Sequence, residues 1–232
     1  MKTITLPAGR SAEGAPAARI EVDETDHIGR IISRGTWYEK DLLDDARHRI
    51  TAFEPGTAVD VGAHIGTHTL WFALAMRLNV VALEPNPASF DRLARNLELN
   101  DLRVPDINRP FVRALPVAAG ARPGWGRVQP PALAGNSGTV AVKRDRGADQ
   151  QDAGQVPITT IDALGLDEVR LIKIDVEGTA ASVLVGAADT IAAYSPVIYA
   201  EGDRHALEDA LPKGYKCFGC FAKTPTYGFA RG

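Results

Sequence analysis

Short apolar runs alternate with segments of helical spacing along most of this chain. The runs begin with TAVDVG at residue 57 and continue with VVALEP, VRLIKIDVEG and PVIYAEG. Helical spacing marks residues 67–78, 87–100, 180–193 and 205–211. Strands that are apolar throughout must be buried on both faces, so they are typical of a parallel sheet covered by helices on each side. The alternation therefore predicts an α/β domain with a doubly wound, mainly parallel sheet.

The 232 residues are enough for one sizeable core, and we expect a single domain over residues 37–232. Residues 1–36 are predicted to form an N-terminal arm, in which two apolar runs around a polar middle in 18–35 predict a hairpin or an edge arm. Residues 120–157 are dense in glycine, proline and charges, yet they contain strand-like patches where a third crossover helix is expected. We interpret them as a β-rich insertion, a β-hairpin excursion from the main fold.

The composition argues against several classes of protein and partner. Hydrophobic residues make up 45% and charged residues 24%, as is usual for globular proteins, and the formal net charge is −3. Such a charge gives no general attraction to nucleic acid or to an anionic membrane. No apolar run reaches the ~18 residues of a membrane span or the length of a signal peptide, and we expect a cytoplasmic protein.

The two cysteines, Cys217 and Cys220, have a C-x-x-C spacing near the C-terminus. One pair is not a disulfide framework. A zinc or redox site needs further ligands or a helix N-terminus, and the sequence indicates neither. We therefore expect two packed thiols in a late strand.

The turn GAHIG, between the first main strand and its helix, is the first candidate for a ligand site. Gly62 and Gly66 bracket it and allow positive φ and a close approach to the backbone, and the helix is expected to begin near Thr67. Free N–H groups and the positive end of the helix dipole then favour a carboxylate or a phosphate over the loop. The alternative is that the glycines serve packing alone.

Glu84 ends the next strand about 20 residues after the loop, where doubly wound folds place an acid that accepts hydrogen bonds from ribose. The turn lacks the second and third glycines of G-x-G-x-x-G, since His64 and Thr67 occupy those positions, so NAD and FAD are disfavoured. A phosphate-binding G-x-x-x-x-G-K-[ST] motif is also absent from the sequence. An adenosine joined to a small zwitterion, such as S-adenosylmethionine, fits these features, with Asp60 or Asp175 for its ammonium group.

Several segments resemble, in their order and spacing, the FkbM-type S-adenosylmethionine-dependent methyltransferases: VDVGAHIGTHTLWFA, VVALEPNPASFDRLARNLELN, and VRLIKIDVEGTAASVLVGA followed by PVIYAEG. WYEKDLL and VPITTIDAL look like flanking signatures of that family, and the resemblance covers residues 37–216. It implies a class I methyltransferase fold, a seven-stranded sheet with one antiparallel strand and the cofactor above the Gly62 loop. It also implies methylation of hydroxyl groups on small metabolites, glycans or natural products. The chain departs from the family pattern at His64, where asparagine is usual, and at Ala180, where an acid is usual.

Methyl transfer to an alcohol needs a group that removes the hydroxyl proton, because the cofactor supplies only the activated methyl group. Asp175 and Glu177 follow one main strand and Glu201 ends the next, so these carboxylates are predicted to face one rim as catalytic candidates. Crowding raises carboxyl pKa values toward neutrality, and the same crowding can bind Mg²⁺ or Ca²⁺. The alternative for Glu177 and Glu201 is helix capping or pairing with Lys173 and Arg204.

The predicted cofactor-binding residues are Asp60, Gly62, Ala63, His64, Gly66, Thr67, His68, Glu84, Asn86 and Asp175. His64 and His68 are four residues apart, which leaves open a metal pair, a cofactor or substrate contact, or packing. The predicted substrate-binding residues are Trp37, Tyr38, Glu39 and Asn136. The first three can form a lid over the cofactor or belong to the core, and the asparagine can contact the substrate or occupy a turn.

These features predict an S-adenosylmethionine-dependent O-methyltransferase that acts on a small molecule or a carbohydrate. N-methylation and a catalytically inactive nucleotide-binding scaffold remain alternatives. A dehydrogenase-like nucleotide binder is disfavoured by the missing middle glycine and by the lack of a catalytic Tyr-x-x-x-Lys or similar pair. We expect no nucleic-acid or membrane partner. No metal site is assigned, although a divalent ion stays an alternative, and a homodimer is left open.

Overall fold

The computed structural model of the chain describes residues 1–7, 17–50, 56–103, 110–129, 141–144, 154–221 and 225–232. Its strands are β1 Lys2–Leu6, β2 Ala18–Val22, β3 Thr57–Val61, β4 Asn79–Leu83, β5 Val112–Leu115, β6 Ala118–Ala119, β7 Gly124–Val128, β8 Val142–Arg144, β9 Gln155–Thr159, β10 Val169–Ile174, β11 Val197–Glu201, β12 Tyr215–Phe221 and β13 Thr226–Arg231. Its helices are α1 His27–Ile32, α2 Lys40–Arg49, α3 Thr67–Leu74, α4 Pro87–Glu98, α5 Ala180–Val185, α6 Ala188–Tyr194 and α7 Arg204–Ala210, with a short 3₁₀ turn at Asp162–Leu164.

The main sheet of the described chain has seven strands in the order β12-β13-β11-β10-β3-β4-β5. The strands from β11 to β5 pair in parallel, whereas β13 is antiparallel to both of its neighbours, β11 and β12. The predicted α/β fold, with a doubly wound, mainly parallel sheet and one antiparallel strand, is confirmed. Because the chain reverses its direction of travel across the sheet after β5, the carboxyl ends of β3 and β10 flank the switch point where such folds bind ligands.

The central strands bury both of their faces, which explains why they are apolar throughout. In β10, Leu171 joins one core with the helices α2 and α3, while Ile172 and Ile174 join a second core with α5 and α6 on the other face. This alternation follows the two-residue period of a strand. Lys173 has the same parity as Leu171, so this lysine lies on the face that packs against α2 and α3.

The predicted helix over 180–193 is divided into α5 and α6. Gly186 lies between them, where an added Cβ atom would come within 2.1 Å of the carbonyl oxygen of Gly120. The backbone of the break therefore packs directly against the turn that follows β6. A helical sequence pattern continues across such a break because the apolar side chains on both sides still face the same core.

The N-terminal segment forms a hairpin, but not between the runs predicted from the sequence. β2 pairs antiparallel with β1, and the second predicted run is instead helix α1, whose N-cap Asp26 accepts a hydrogen bond from the main chain of Ile28. Leu6 and Ile20 are fully buried in the core beside α3 and α4. The prediction missed the partner strand because residues 7–17 separate β1 from β2, a connection longer than the two to five residues that mark a hairpin in a sequence.

The β-rich insertion builds a second sheet in the order β6-β9-β7-β8. The strand-like patches predicted within it match β7, β8 and β9, and β7 pairs antiparallel with both of the others. β6, which follows directly on β5 of the main sheet, pairs in parallel with β9 and so joins the small sheet to the domain.

The C-terminal strands complete the domain. Cys217 and Cys220 lie in β12, as predicted, and both thiols are free, with Cys220 exposed rather than packed. None of the helices in the described ranges has the length and apolar character that crossing a membrane requires.

Candidate functional site

A cavity of about 270 Å³ opens at the carboxyl ends of β3, β4 and β10, next to the small sheet. Gly62 and His64 from the turn after β3, Glu84 after β4, and Asp175 and Glu177 after β10 contribute to its wall. Apolar side chains from the small sheet and its approach complete the lining, among them Val117, Val142 and Ile158. The cavity therefore brings together polar groups from three strand ends with an apolar surface large enough to receive a ring.

The glycines of the turn after β3 are required by contacts within the protein. Gly62 has φ +79°, and a Cβ atom there would lie 1.9 Å from the carbonyl oxygen of Asp175. Gly66 has φ +92°, and a Cβ atom there would lie 2.6 Å from the side chain of Leu93. The packing interpretation of these glycines is therefore sufficient, although Gly62 also lines the cavity. Helix α3 begins at Thr67, as the sequence predicts.

Glu84 ties the turn to the end of β4. Its two carboxylate oxygens accept hydrogen bonds from the main-chain N–H groups of His64 and Asn86, at 2.7 and 2.8 Å. Burial raises the pKa of Glu84 to about 7, and these two hydrogen bonds oppose the rise. Each oxygen keeps a lone pair that a hydroxyl group in the cavity can use.

His64 occupies a left-handed backbone conformation, with φ +50°. Asparagine and histidine are both among the residues that tolerate this region, which explains how histidine can stand where the family usually has asparagine. Burial lowers the pKa of His64 to about 4, so the imidazole is neutral at physiological pH. His64 thus presents a neutral, hydrogen-bonding ring to the cavity.

Asp175 and Glu201 are neighbours at the carboxyl ends of β10 and β11, directly after the paired residues Ile174 and Ala200. Burial alone would raise the pKa of Asp175, but the ammonium group of Lys173 and a hydrogen-bonding contribution from Glu201 lower it to about 2. Burial and the neighbouring Asp175 raise the pKa of Glu201 to about 8. The two pKa values thus shift in opposite directions, so the charged form of Asp175 and the protonated form of Glu201 are favoured.

Lys173 is buried beneath this pair, with its side chain 2% exposed. Its Nζ atom lies 3.1 Å from Asp175 Oδ2 and 3.7 Å from Asp60 Oδ1. Burial would lower the pKa of Lys173, but the carboxylates of Asp175 and Asp60 raise it above its ordinary value. Asp60 is itself fully buried and accepts a 2.5 Å hydrogen bond from Thr69 Oγ1 of α3, so it lies behind the cavity wall.

Glu39 and His68 form a second buried pair. The His68 Nε2 atom lies 3.2 Å from Glu39 Oε2, and the ring of Tyr38 lies 6.2 Å from that of His68. Burial raises the pKa of Tyr38, with the charges of Glu39 and Asp175 adding to the effect. His68 therefore faces α2, while His64 faces the cavity, so their four-residue spacing does not bring them to a shared ligand.

The other predicted residues fall into three environments. Glu177 is exposed at the cavity mouth, and Asn86 caps α4 by accepting a hydrogen bond from the main-chain N–H of Ala88.

Trp37 lies in the core: its Nε1 donates to the carbonyl of Pro7, and its ring packs edge-on against Trp71 at 5.2 Å. Ala63, Thr67 and Ala180 are buried. Asn136 lies outside the described residues. No cluster of three or more potential metal ligands occurs among the residues that the structure describes.

Sequence reasoning underrated Lys173 and overlooked two arginines. A single lysine inside the apolar run VRLIKI was the available signal, because a charge in a strand buried on both faces needs a partner. Arg122 and Arg144 line the cavity from the small sheet and its approach, and Arg144 donates to the carbonyl groups of Arg122 and Pro123 at 2.9 and 2.6 Å. Within the described ranges, neither guanidinium has an acidic side chain at ion-pair distance. Nothing in the local sequence signals that these arginines would meet the cavity.

Comparison with known proteins gives matches over most of the domain. The family model described as the methyltransferase FkbM domain matches residues 60–213, a range that includes Glu84, Asp175 and Glu201. The hexuronic acid methyltransferase AglP of Haloferax volcanii is 30% identical over 193 residues, which cover 78% of this chain and 69% of the relative.

Solved structures show the same fold. The crystal structure of methyltransferase FkbM from Methylobacillus flagellatus has a TM-score of 0.53 and 18% identity, covering 76% of this chain and 43% of that one. This chain thus spans less than half the length of the Methylobacillus protein. A methyltransferase from Geobacter sulfurreducens has a TM-score of 0.50 and 14% identity, covering 91% and 89% of the two chains.

Proposed function

The chain belongs to the FkbM family of S-adenosylmethionine-dependent methyltransferases, and from that premise we propose that it methylates a hydroxyl group of a sugar or a similar small acceptor. The observation that carries the proposal is the placement of three carboxyl groups: Glu84 and Asp175 in the cavity wall, and Glu201 beside Asp175 at the end of the neighbouring strand β11. Methyl transfer by itself does not require a proton acceptor, but an alcohol nucleophile does, because its hydroxyl group must lose a proton.

The cavity residues suit S-adenosylmethionine in their chemistry. Glu84 has lone pairs for ribose hydroxyl groups, and the apolar wall around Val117 and Ile158 suits an adenine ring. The carboxylate of Asp175 suits an ammonium group, and the start of α3 suits a carboxylate. The bound cofactor supplies a methyl group on a positively charged sulfur, ready for displacement by a nucleophile. The protein contributes position, exclusion of water and control of the acceptor's proton.

The acceptor side of the cavity suggests an acidic sugar. Arg122 and Arg144 place two guanidinium groups on the wall formed by the small sheet and its approach, and two main-chain carbonyls hold Arg144 in place. Arginine binds carboxylates through paired hydrogen bonds. A relative that is 30% identical carries the name hexuronic acid methyltransferase, and a hexuronic acid has both hydroxyl groups and a carboxylate. We therefore place a uronic acid, free or within a glycan, first among acceptors.

The proposal is tested by incubating the protein with S-adenosylmethionine and paired acceptors: a uronic acid glycoside, its neutral hexose counterpart and an amino sugar. We expect S-adenosylhomocysteine to form with the uronic acid and mass spectrometry with NMR to place the new methyl group on oxygen. Arg144→Met should raise KM for the uronic acid about tenfold or more and leave that for a neutral sugar within about twofold.

Arg103→Met is the matched control, because Arg103 is exposed and paired with Glu98 on α4. Methylation of nitrogen on the amino sugar, with none on any hydroxyl group, would overturn the proposed O-methylation. Equal KM values for acidic and neutral sugars would overturn the preference for a carboxylate while leaving hydroxyl methylation in place.

A further inference from the structure

The position of Lys173 follows from the register of the main sheet. In the pairing of β10 with β3, Lys173 is the direct partner of Asp60, and in the pairing of β10 with β11 it is the partner of Tyr199. Side chains two residues apart in a strand lie on the same face. Asp175 and Glu201 therefore follow Lys173 and Tyr199 on the face that packs against α3. Sheet geometry alone places one ammonium group below two neighbouring carboxyl groups.

The lysine is not placed symmetrically with respect to those carboxyl groups. Its Nζ atom donates a 3.1 Å hydrogen bond to Asp175 Oδ2, and no ion pair or hydrogen bond joins it to Glu201 within the described residues. Glu201 instead lies beside Asp175, because the register of β10 with β11 pairs the residues just before them, Ile174 and Ala200. Two neighbouring carboxyl groups resist ionising together, and the group nearer a buried cation is the one that loses its proton first.

Other titratable groups around the pair add to this asymmetry. Those that face it are Asp60 on β3, Glu39 and Tyr38 before α2, His68 on α3, and Glu177 after β10. The carboxylates of Glu177 and Glu39 raise the pKa of Glu201, whereas Lys173 and His68 lower that of Asp175. The surroundings thus favour one negative charge, beside Lys173, and a neutral acid at Glu201.

We propose that Lys173 is a positioning residue for methyl transfer. By its position beside Asp175, Lys173 gives the two carboxyl groups different roles: Asp175 keeps the negative charge, and Glu201 holds and exchanges the proton. Lys173 acts through Asp175, which is part of the cavity wall, whereas Lys173 and Glu201 lie directly behind and beside it. Asp175 then presents a permanent carboxylate to a cationic group, while Glu201, once ionised, takes the proton of the acceptor hydroxyl. In that transfer the O–H bond of the acceptor breaks, a new O–H bond forms on Glu201, and the electron pair stays on the acceptor oxygen.

The role of Glu201 as proton acceptor rests on the proposed function, but the division of charge by Lys173 does not. The test is therefore made on the free protein, without cofactor or acceptor. NMR of isotope-labelled carboxyl carbons follows the ionisation of Asp175 and Glu201, with assignments from Asp175→Asn and Glu201→Gln. In the wild type we expect Glu201 to change ionisation near pH 8 and Asp175 to stay charged down to about pH 2.

Three variants and one control separate a charge effect from a structural one. Lys173→Met should move the midpoint of Asp175 upward by about one to three pH units, and Lys173→Arg should keep it low. If Lys173→Met does not fold, Asp60→Asn provides a second test. In that variant Asp175 is the carboxylate that remains next to Lys173, so the titration midpoint of Asp175 must stay low. Lys213→Met, at an exposed site before the amino end of β12 and so at the opposite edge of the sheet from the cavity, controls for net charge.

Activity provides the second readout. The rise of kcat/KM with pH should follow the ionisation of Glu201, and in Lys173→Met this rise should move to higher pH, while a purely structural defect would lower kcat without moving it. An Asp175 midpoint within about 0.3 of the wild-type value in Lys173→Met, or one that rises in Asp60→Asn, would overturn the proposal. A different outcome would refute only the proposed function: Asp175 and Glu201 titrate as expected in the free protein, but the enzyme methylates nitrogen and no hydroxyl group.

Discussion

The main-chain N–H of His64 donates a 2.7 Å hydrogen bond to Glu84 Oε2, and so joins the turn after β3 to the end of β4. The other oxygen of Glu84 accepts the N–H of Asn86, at the start of α4. One carboxylate thereby fixes the height of His64 over the cavity and the entry to the following helix. Glu84 therefore has a structural task within the protein itself, because it links two main-chain segments of the cavity wall.

Replacement of this carboxylate should therefore weaken cofactor binding strongly. We expect Glu84→Ala to reduce the affinity for S-adenosylhomocysteine by about 10- to 100-fold, because a charge-assisted hydrogen bond contributes about 1.5–3 kcal/mol and the turn loses its anchor as well. Isothermal titration calorimetry measures the change, with Glu98→Ala on the exposed side of α4 as the control. An affinity within about twofold of the wild type would show that Glu84 does not hold the ribose.

The same residue should make stability depend on pH. Burial raises the pKa of Glu84 from 4.5 to about 7, so between those values the folded protein holds a proton that the unfolded chain releases. The contribution of this proton to stability is fully present below the pKa of the unfolded chain, and it is lost as the pH rises through the pKa of the folded protein. Relative to Glu84→Gln, the wild-type free energy of unfolding should fall by about 3 kcal/mol across this range. Urea unfolding at several pH values measures it, and parallel curves for the two proteins would contradict the shift.

Each member of the carboxyl pair should be needed for turnover, for different reasons. Asp175→Asn removes the charge beside Lys173, and Glu201→Gln removes the proton acceptor while keeping a similar shape. We expect kcat to fall by about 100-fold or more in Glu201→Gln with little change in S-adenosylhomocysteine affinity, whereas Asp175→Asn should weaken both. Glu208→Gln, on the exposed side of α7, is the control. A variant with normal kcat would remove its residue from the mechanism.

The hairpin of β1 and β2 should be part of the folding unit. Asn96 on α4 is fully buried; it accepts the N–H of Glu21 at 2.7 Å and donates to the carbonyl of Ile65 at 2.9 Å. We expect Asn96→Ala to lower the free energy of unfolding by about 2–3 kcal/mol, because it leaves buried backbone groups without partners. Asn100→Ala removes the analogous bonds to Arg19 nearer to solvent and should cost about 1 kcal/mol. Equal losses in urea unfolding would show that burial does not decide the cost.

Local patterns supported much of the prediction. The apolar strands and the helices that begin at Thr67 and Pro87 each depend on residues that are neighbours in sequence, and the structure has them where they were expected. The strand ends also identified Glu84, Asp175 and Glu201 as candidates, since parallel strands present their carboxyl ends at one edge. The hairpin partner of β2 was missed because the connection over residues 7–17 is longer than the tight turn that identifies a hairpin in a sequence.

The sequence by itself determined the class of fold and the edge of the sheet that carries the chemistry, because strand period, helix period and turn residues act over a few neighbouring positions. Only the tertiary structure decided which groups share charge and protons. Lys173 meets Asp60 through the register of two strands, Glu39 meets His68 through the packing of α2 on α3, and Gly62 is required by the carbonyl of Asp175. Such contacts depend on strand order and on burial, which strengthens electrostatic interactions. Neither strand order nor burial can be predicted from residues that are neighbours in sequence.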